Sequence, residues 1–158
     1  MKTRVLWIED GAFSELMSLG APIYSSGLYD LTIALTAGEG YQHLLGKEFD
    51  AVIVDIRLPP GSDPFFIKAF KQLNSKVAAR LGLRLLQRVL APTGEHTVPD
   101  WINPKRFGVF TVETLVEIEH ELEELGIKVY RQKTETLPKT VILNIIEEIL
   151  SQSNPKET

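Results

Sequence analysis

The chain has 158 residues, enough for one domain with a proper core and hardly enough for two. It is 44% hydrophobic and 24% charged, which is ordinary for a globular protein, and its net charge of −4 argues against a general nucleic-acid binder with a basic surface. The absence of cysteine excludes disulfides and thiolate chemistry, and no apolar run approaches the ~20 residues of a membrane span.

The opening "MKTRVLWIED" turns acidic too early for a secretory leader, so a cytoplasmic location is expected. "RVLWI" (4–8) is strand-like, and "EDGAFSELMSL" after it reads as the start of a helix that Gly20 and Pro22 would stop. "LTIAL" (31–35) is a second strand, followed by the short helical piece "GEGYQHLLG". "AVIVD" (51–55) is the third strand, apolar enough to be buried on both faces. Residues 63–80 and "GLRLLQRVL" read as helices, with Leu85, Leu86 and Val89 at helical spacing in the second. "APTGEHTVPDWINPK" is a loop in which Trp101 is expected to anchor packing, and "RFGVFT" is a fourth strand.

"VETLVEIEHELEELG" is an amphipathic helix with Leu115, Ile118, Leu122 and Leu125 expected inward and Gly126 as its stop; its glutamates, Glu113 included, read as a solvated face. "IKVYRQ" is a fifth strand. "LPKTVILNIIEEILSQ" is a closing helix with Val141, Ile142, Ile145, Ile146 and Ile149 as its apolar stripe, and 151–158 reads as a polar tail. Strands alternating with helices imply a parallel sheet covered on both faces, and chemistry in such sheets collects at the carboxyl ends of the strands.

That rule brings Glu9, Asp10, Asp55, Thr111 and Lys133 to one edge. At these residues the chain resembles the response-regulator receiver family of two-component signalling. The matches are Glu9-Asp10, Asp55 in "VDIRLP", Thr111 in "GVFT", Lys133 in "YRQK" at the family's usual step from the threonine, and Tyr130 at the switch-aromatic position. The resemblance runs from Met1 to about Leu150. It implies a flavodoxin-like, doubly wound five-stranded parallel sheet in the order 2-1-3-4-5, here with an extra helical insertion over about 60–81.

It also implies a stand-alone receiver that accepts a phosphoryl group on Asp55 and switches partner binding. Three carboxylates at ~4 Å repel by roughly 4 kcal/mol per pair at an effective dielectric near 20, and a hard divalent cation would relieve that. The implied cofactor is Mg²⁺, with Asp10 and Asp55 as side-chain ligands, Glu9 holding a bound water and the Arg57 carbonyl completing the set. Lys133 would pair with phosphoryl oxygens and Thr111 would donate a hydrogen bond to one, drawing Tyr130 after it. The implied partners are a histidine kinase or phosphotransfer protein and an unidentified downstream protein, with a homodimer open and neither nucleic acid nor membrane expected. His43, His96 and His120 have no ligand-like spacing.

Departures from the family pattern are the long step from Asp55 to Thr111, Val112 where a small residue is usual, and Thr134 after Lys133 where proline is usual. A haloacid-dehalogenase-type phosphatase would want a second acid where Arg57 stands. A receiver-like interaction module that is never phosphorylated is the stronger competitor. In the insertion, Asp63 and Pro64 suit a helix start, and Phe65, Phe66, Ile67, Ala69, Phe70 and Leu73 make an apolar helix expected to dock beside the site, on its own domain or across a dimer.

Overall fold

A computed structural model describes residues 2–72, 80–91 and 97–153. Its strands are β1 (Thr3–Ile8), β2 (Tyr29–Ala34), β3 (Ala51–Val54), β4 (Phe107–Thr111) and β5 (Val129–Gln132), in one all-parallel sheet of order β2-β1-β3-β4-β5. This is the expected flavodoxin-like topology. Six α-helices are present among the described residues: α1 (Ala21–Ser26), α2 (Ala37–Gly46), α3 (Pro64–Gln72), α4 (Leu81–Leu90), α5 (Leu115–Leu125) and α6 (Val141–Ser153).

The period-two alternation of the strands divides the core. Leu6, Ile8, Val52, Val54, Phe107 and Val109 face one layer, where α2, α4 and α5 contribute Leu44, Leu85, Leu86, Val89, Ile118 and Leu122. Val5, Trp7, Ala51, Ile53 and Phe110 face the other, against Ile23 of α1 and the isoleucines of α6. Central β3 and β4 are therefore buried on both faces, as their near-continuous apolar sequences require. Trp101 packs its ring against Phe49 with centroids 6.1 Å apart, as an anchor for the loop that leads to β4.

Four local expectations need correction. The segment after β1 makes turns and a short 3-10 helix (Met17–Leu19), and Pro22 sits in the first turn of α1; it helps begin a helix, because a missing N–H costs nothing there. Leu115 is 44% exposed, since it opens α5 at the rim of the sheet while Ile118, Leu122 and Leu125 turn inward. Glu113 lies before that helix begins and is buried, so it does not belong to the solvated face. Residues 151–153 continue α6 instead of opening a tail, and 154–158 lie outside the described residues.

The insertion does form a helix. Asp63 Oδ1 accepts the Phe65 amide at 2.8 Å, which satisfies a free donor of the first turn. Phe66 is fully buried against Tyr41 of α2, with centroids 6.2 Å apart, whereas Phe65 and Phe70 remain 43% and 45% exposed. The helix docks on its own domain, beside α2 and α4. Leu73 and the rest of 73–79 lie outside the described residues.

Candidate functional site

Each residue singled out at the sheet edge is the last of a strand or stands just beyond it. Glu9 and Asp10 follow β1, Asp55 follows β3, Thr111 ends β4 and Lys133 follows β5. In-register pairing (Ile8 with Val54, Val54 with Val109, Thr111 with Gln132) holds all of them at the same level. The structure thus brings Glu9, Asp10, Asp55, Thr111 and Lys133 together. Glu9, Asp55 and Thr111 are buried at 1%, 4% and 0% exposure, and Asp10 is exposed.

Lys133 is the hub. Its amide donates to the Thr111 carbonyl at 2.7 Å, which hangs the lysine from the neighbouring strand. Its Nζ donates to Asp55 Oδ2 at 2.9 Å and forms an ion pair with Glu9 Oε1. The other carboxylate oxygens are met by backbone: Glu9 Oε2 accepts the Gly11 amide at 3.1 Å, and Asp55 Oδ1 accepts the Arg57 amide at 3.3 Å.

Burial, and then the charge of Asp55, push the Glu9 carboxyl up to about 8, although Lys133 pulls the other way. Burial works to lower the Lys133 ammonium, but Asp55 and Glu9 outweigh it and its pKa is raised. The edge is therefore short of positive charge. Ligand oxygens of Glu9, Asp10 and Asp55 all lie within 4.8 Å of one another. An all-oxygen donor set with one exposed member suits a hard divalent cation that keeps some of its water.

Tyr130 is half-buried, and its hydroxyl donates to the Glu113 carbonyl. Glu113 itself is 2% exposed and binds two arginines, Arg57 and Arg80. Sequence reasoning missed it, since a glutamate before a Glu-rich helix carries no distinguishing pattern. Gly82 was missed too. A Cβ there would fall 1.8 Å from the Asp55 carbonyl oxygen, and its amide donates to Ile56 O at 2.8 Å, so α4 begins pressed against the backbone of the acid. Val112 stands 46% exposed on the rim. His120 pairs with Glu124 on the exposed face of α5, His43 lies in the last turn of α2, and His96 is outside the described residues.

No family model matches the chain, and no curated protein does. Solved structures do match. A CheY-like response regulator receiver domain protein from Methanospirillum hungatei JF-1 superposes with a TM-score of 0.63 at 21% identity, covering 97% of this chain and 98% of that one. The non-phosphorylated HemR receiver domain of Leptospira biflexa gives 0.63 at 20% identity, over 99% and 100% of the two chains. The BeF3-activated N-terminal receiver domain of Klebsiella pneumoniae RstA gives 0.58 at 18% identity, over 93% and 98%. The chain has the fold of response-regulator receiver domains. Among the described residues, no helix is long and apolar enough to cross a membrane.

Proposed function

We propose that this chain is a phosphoacceptor receiver in which Asp55 takes a phosphoryl group from a histidine kinase or phosphotransfer protein. Residues 1–150 act as one receiver-like unit interrupted by the insertion at about 60–81. The observation that carries the reading is Lys133, whose ammonium stands between buried Glu9 and buried Asp55 while its amide is bonded to the carbonyl of buried Thr111. A nucleophilic carboxylate needs its charge balanced without being protonated, and the ammonium of Lys133, reaching in from the end of β5, does that. When bound, Mg²⁺ would add Lewis-acid neutralisation of the carboxylates and of the incoming phosphoryl oxygens. Asp10 and Asp55 would ligate it directly, with Glu9 acting through water and Arg57 through its carbonyl.

In the transfer, an Asp55 carboxylate oxygen forms a bond to phosphorus while the bond from phosphorus to the donor's leaving atom breaks (the imidazole nitrogen of a phosphohistidine, or the carboxylate oxygen of acetyl phosphate), leaving an acyl phosphate on Asp55. Lys133 then exchanges its carboxylate contact for a phosphoryl oxygen, and Thr111 donates to another. Thr111 and Tyr130 are both tied to Glu113, by the Glu113 amide to Thr111 Oγ1 at 3.4 Å and by the Tyr130 phenol to the Glu113 carbonyl. A pull on Thr111 would therefore reach Tyr130, on the edge strand β5, and alter the surface offered to a downstream protein.

With acetyl phosphate and Mg²⁺, the intact mass of the wild type should rise by one phosphoryl group, and Asp55→Asn should show no rise. Equal labelling of both would remove Asp55 from the role. Absence of labelling in the wild type would favour an interaction module that works unphosphorylated.

A further inference from the structure

Glu113 is a buried carboxylate that the phosphoryl chemistry leaves without a task. Its Oε1 lies 3.1 Å from Arg57 Nε and 3.1 Å from Arg80 Nε, and its Oε2 accepts from Arg80 Nη2 at 3.3 Å. Arg80 also reaches Glu117 at 3.5 Å. The Arg80 contact is a side-on fork, the geometry in which a guanidinium holds a carboxylate most firmly. Arg57 stands two residues beyond Asp55, and Glu113 two residues beyond Thr111. Because β3 and β4 are paired neighbours, the Arg57–Glu113 contact bridges the two loops that leave Asp55 and Thr111.

Arg80 comes from the far end of the insertion. Its position is set by Gly82, whose amide is bonded to Ile56 O and whose α-carbon abuts the Asp55 carbonyl, so the arginine cannot drift from the acid's loop. One residue therefore gathers four parts of the site. The Glu113 side chain holds the acid's loop and the insertion, its amide holds the Thr111 hydroxyl, and its carbonyl holds the Tyr130 phenol.

We propose that the Arg57–Glu113–Arg80 cluster is a latch across the mouth of the site, supplied by the insertion, with Glu113 as a positioning residue that slows both arrival and loss of the phosphoryl group at Asp55. The inference rests on the Asp55 reading. Closed, the latch occupies both guanidiniums and holds the loop after β4 with Thr111 in its resting place. Opening it frees two cations near the acid and lets that loop move.

Glu113→Gln keeps shape and removes the charge. With acetyl phosphate and Mg²⁺, labelling of Asp55 and subsequent loss of the label should both quicken, by about threefold or more, as expected for losing a partly buried ion pair. Arg80→Ala should reproduce this, Arg80→Lys should lie between it and wild type, and the double variant should be no faster than either single one. Wild-type rates in both single variants, or effects that multiply in the double variant, would overturn the latch. A second arm needs no phosphodonor: hydrogen exchange of the amides at 57–61 and 111–115 should rise in Glu113→Gln and Arg80→Ala alike. If the wild type fails to label, the Asp55 reading falls and takes with it the latch's control of phosphoryl arrival and loss, whereas a wild type that labels with unchanged exchange in both variants overturns the latch alone.

Discussion

Two largely buried cations, Lys133 at the sheet edge and Arg88 under the insertion, are held by different means. Lys133 lies between the carboxylates of Glu9 and Asp55. Arg88 lies over aromatic rings, its guanidinium carbon 3.7 Å from the Tyr41 centroid, 4.2 Å from that of Phe65 and 5.5 Å from that of Phe66. Its carboxylate contact, Asp63 at 3.6 Å, is too long for a hydrogen bond. A compact ammonium satisfies carboxylates as a point charge, so another cation can take over part of its work. A planar guanidinium stacked on rings is a shape as well as a charge, and no ion replaces it. The first arrangement suits a site whose occupancy changes, and the second suits a permanent anchor.

Lys133→Met should break this contrast most sharply. At pH 8 in a chelator it leaves two buried carboxylates without their cation, at a cost of about 3 kcal/mol in urea unfolding. Excess Mg²⁺ should restore much of that, and no restoration would mean that the acidic edge does not take the metal. Arg88→Ala should cost about 2 kcal/mol through lost stacking and packing, with Mg²⁺ restoring none of it beyond what the wild type gains. Faster hydrogen exchange in α3 should accompany it, and an unchanged α3 would show that Arg88 does not anchor the insertion.

The smallest effect is expected from pH, because Lys133 cancels part of the penalty on Glu9. The native Glu9 carboxyl, raised to about 8 from 4.5, keeps its proton where the unfolded chain has lost it. Its contribution is thus fully present below pH 4.5 and is lost as pH rises towards 8. In metal-free protein the melting temperature of the wild type should fall over this window relative to that of Glu9→Gln. Parallel curves would show that Glu9 is not raised.

The continuous apolar runs in "RVLWI" and "AVIVD", and the helical stripes of α5 and α6, determine where strands and helices lie and which helix faces turn inward, because apolar side chains at those spacings share a face that must leave water. Acids at strand ends then follow, as an apolar run must stop where a charge needs partners. The order of strands is less local. It was legible only through the resemblance, since parallel strands distant in sequence carry no mark of who pairs with whom. Tertiary structure alone decided the fate of Glu113, of Leu115 and of the insertion's phenylalanines. Glu113 is buried because Arg57 and Arg80 converge on it from other loops, Phe66 is buried because Tyr41 and Arg88 form its seat, and Phe65 and Phe70, one residue before it and four after, lie half in solvent. A partner that arrives from another part of the chain leaves no trace in the local pattern, and the physical reason is that charge pairing and aromatic stacking act through space at a few ångströms, whatever the separation along the sequence.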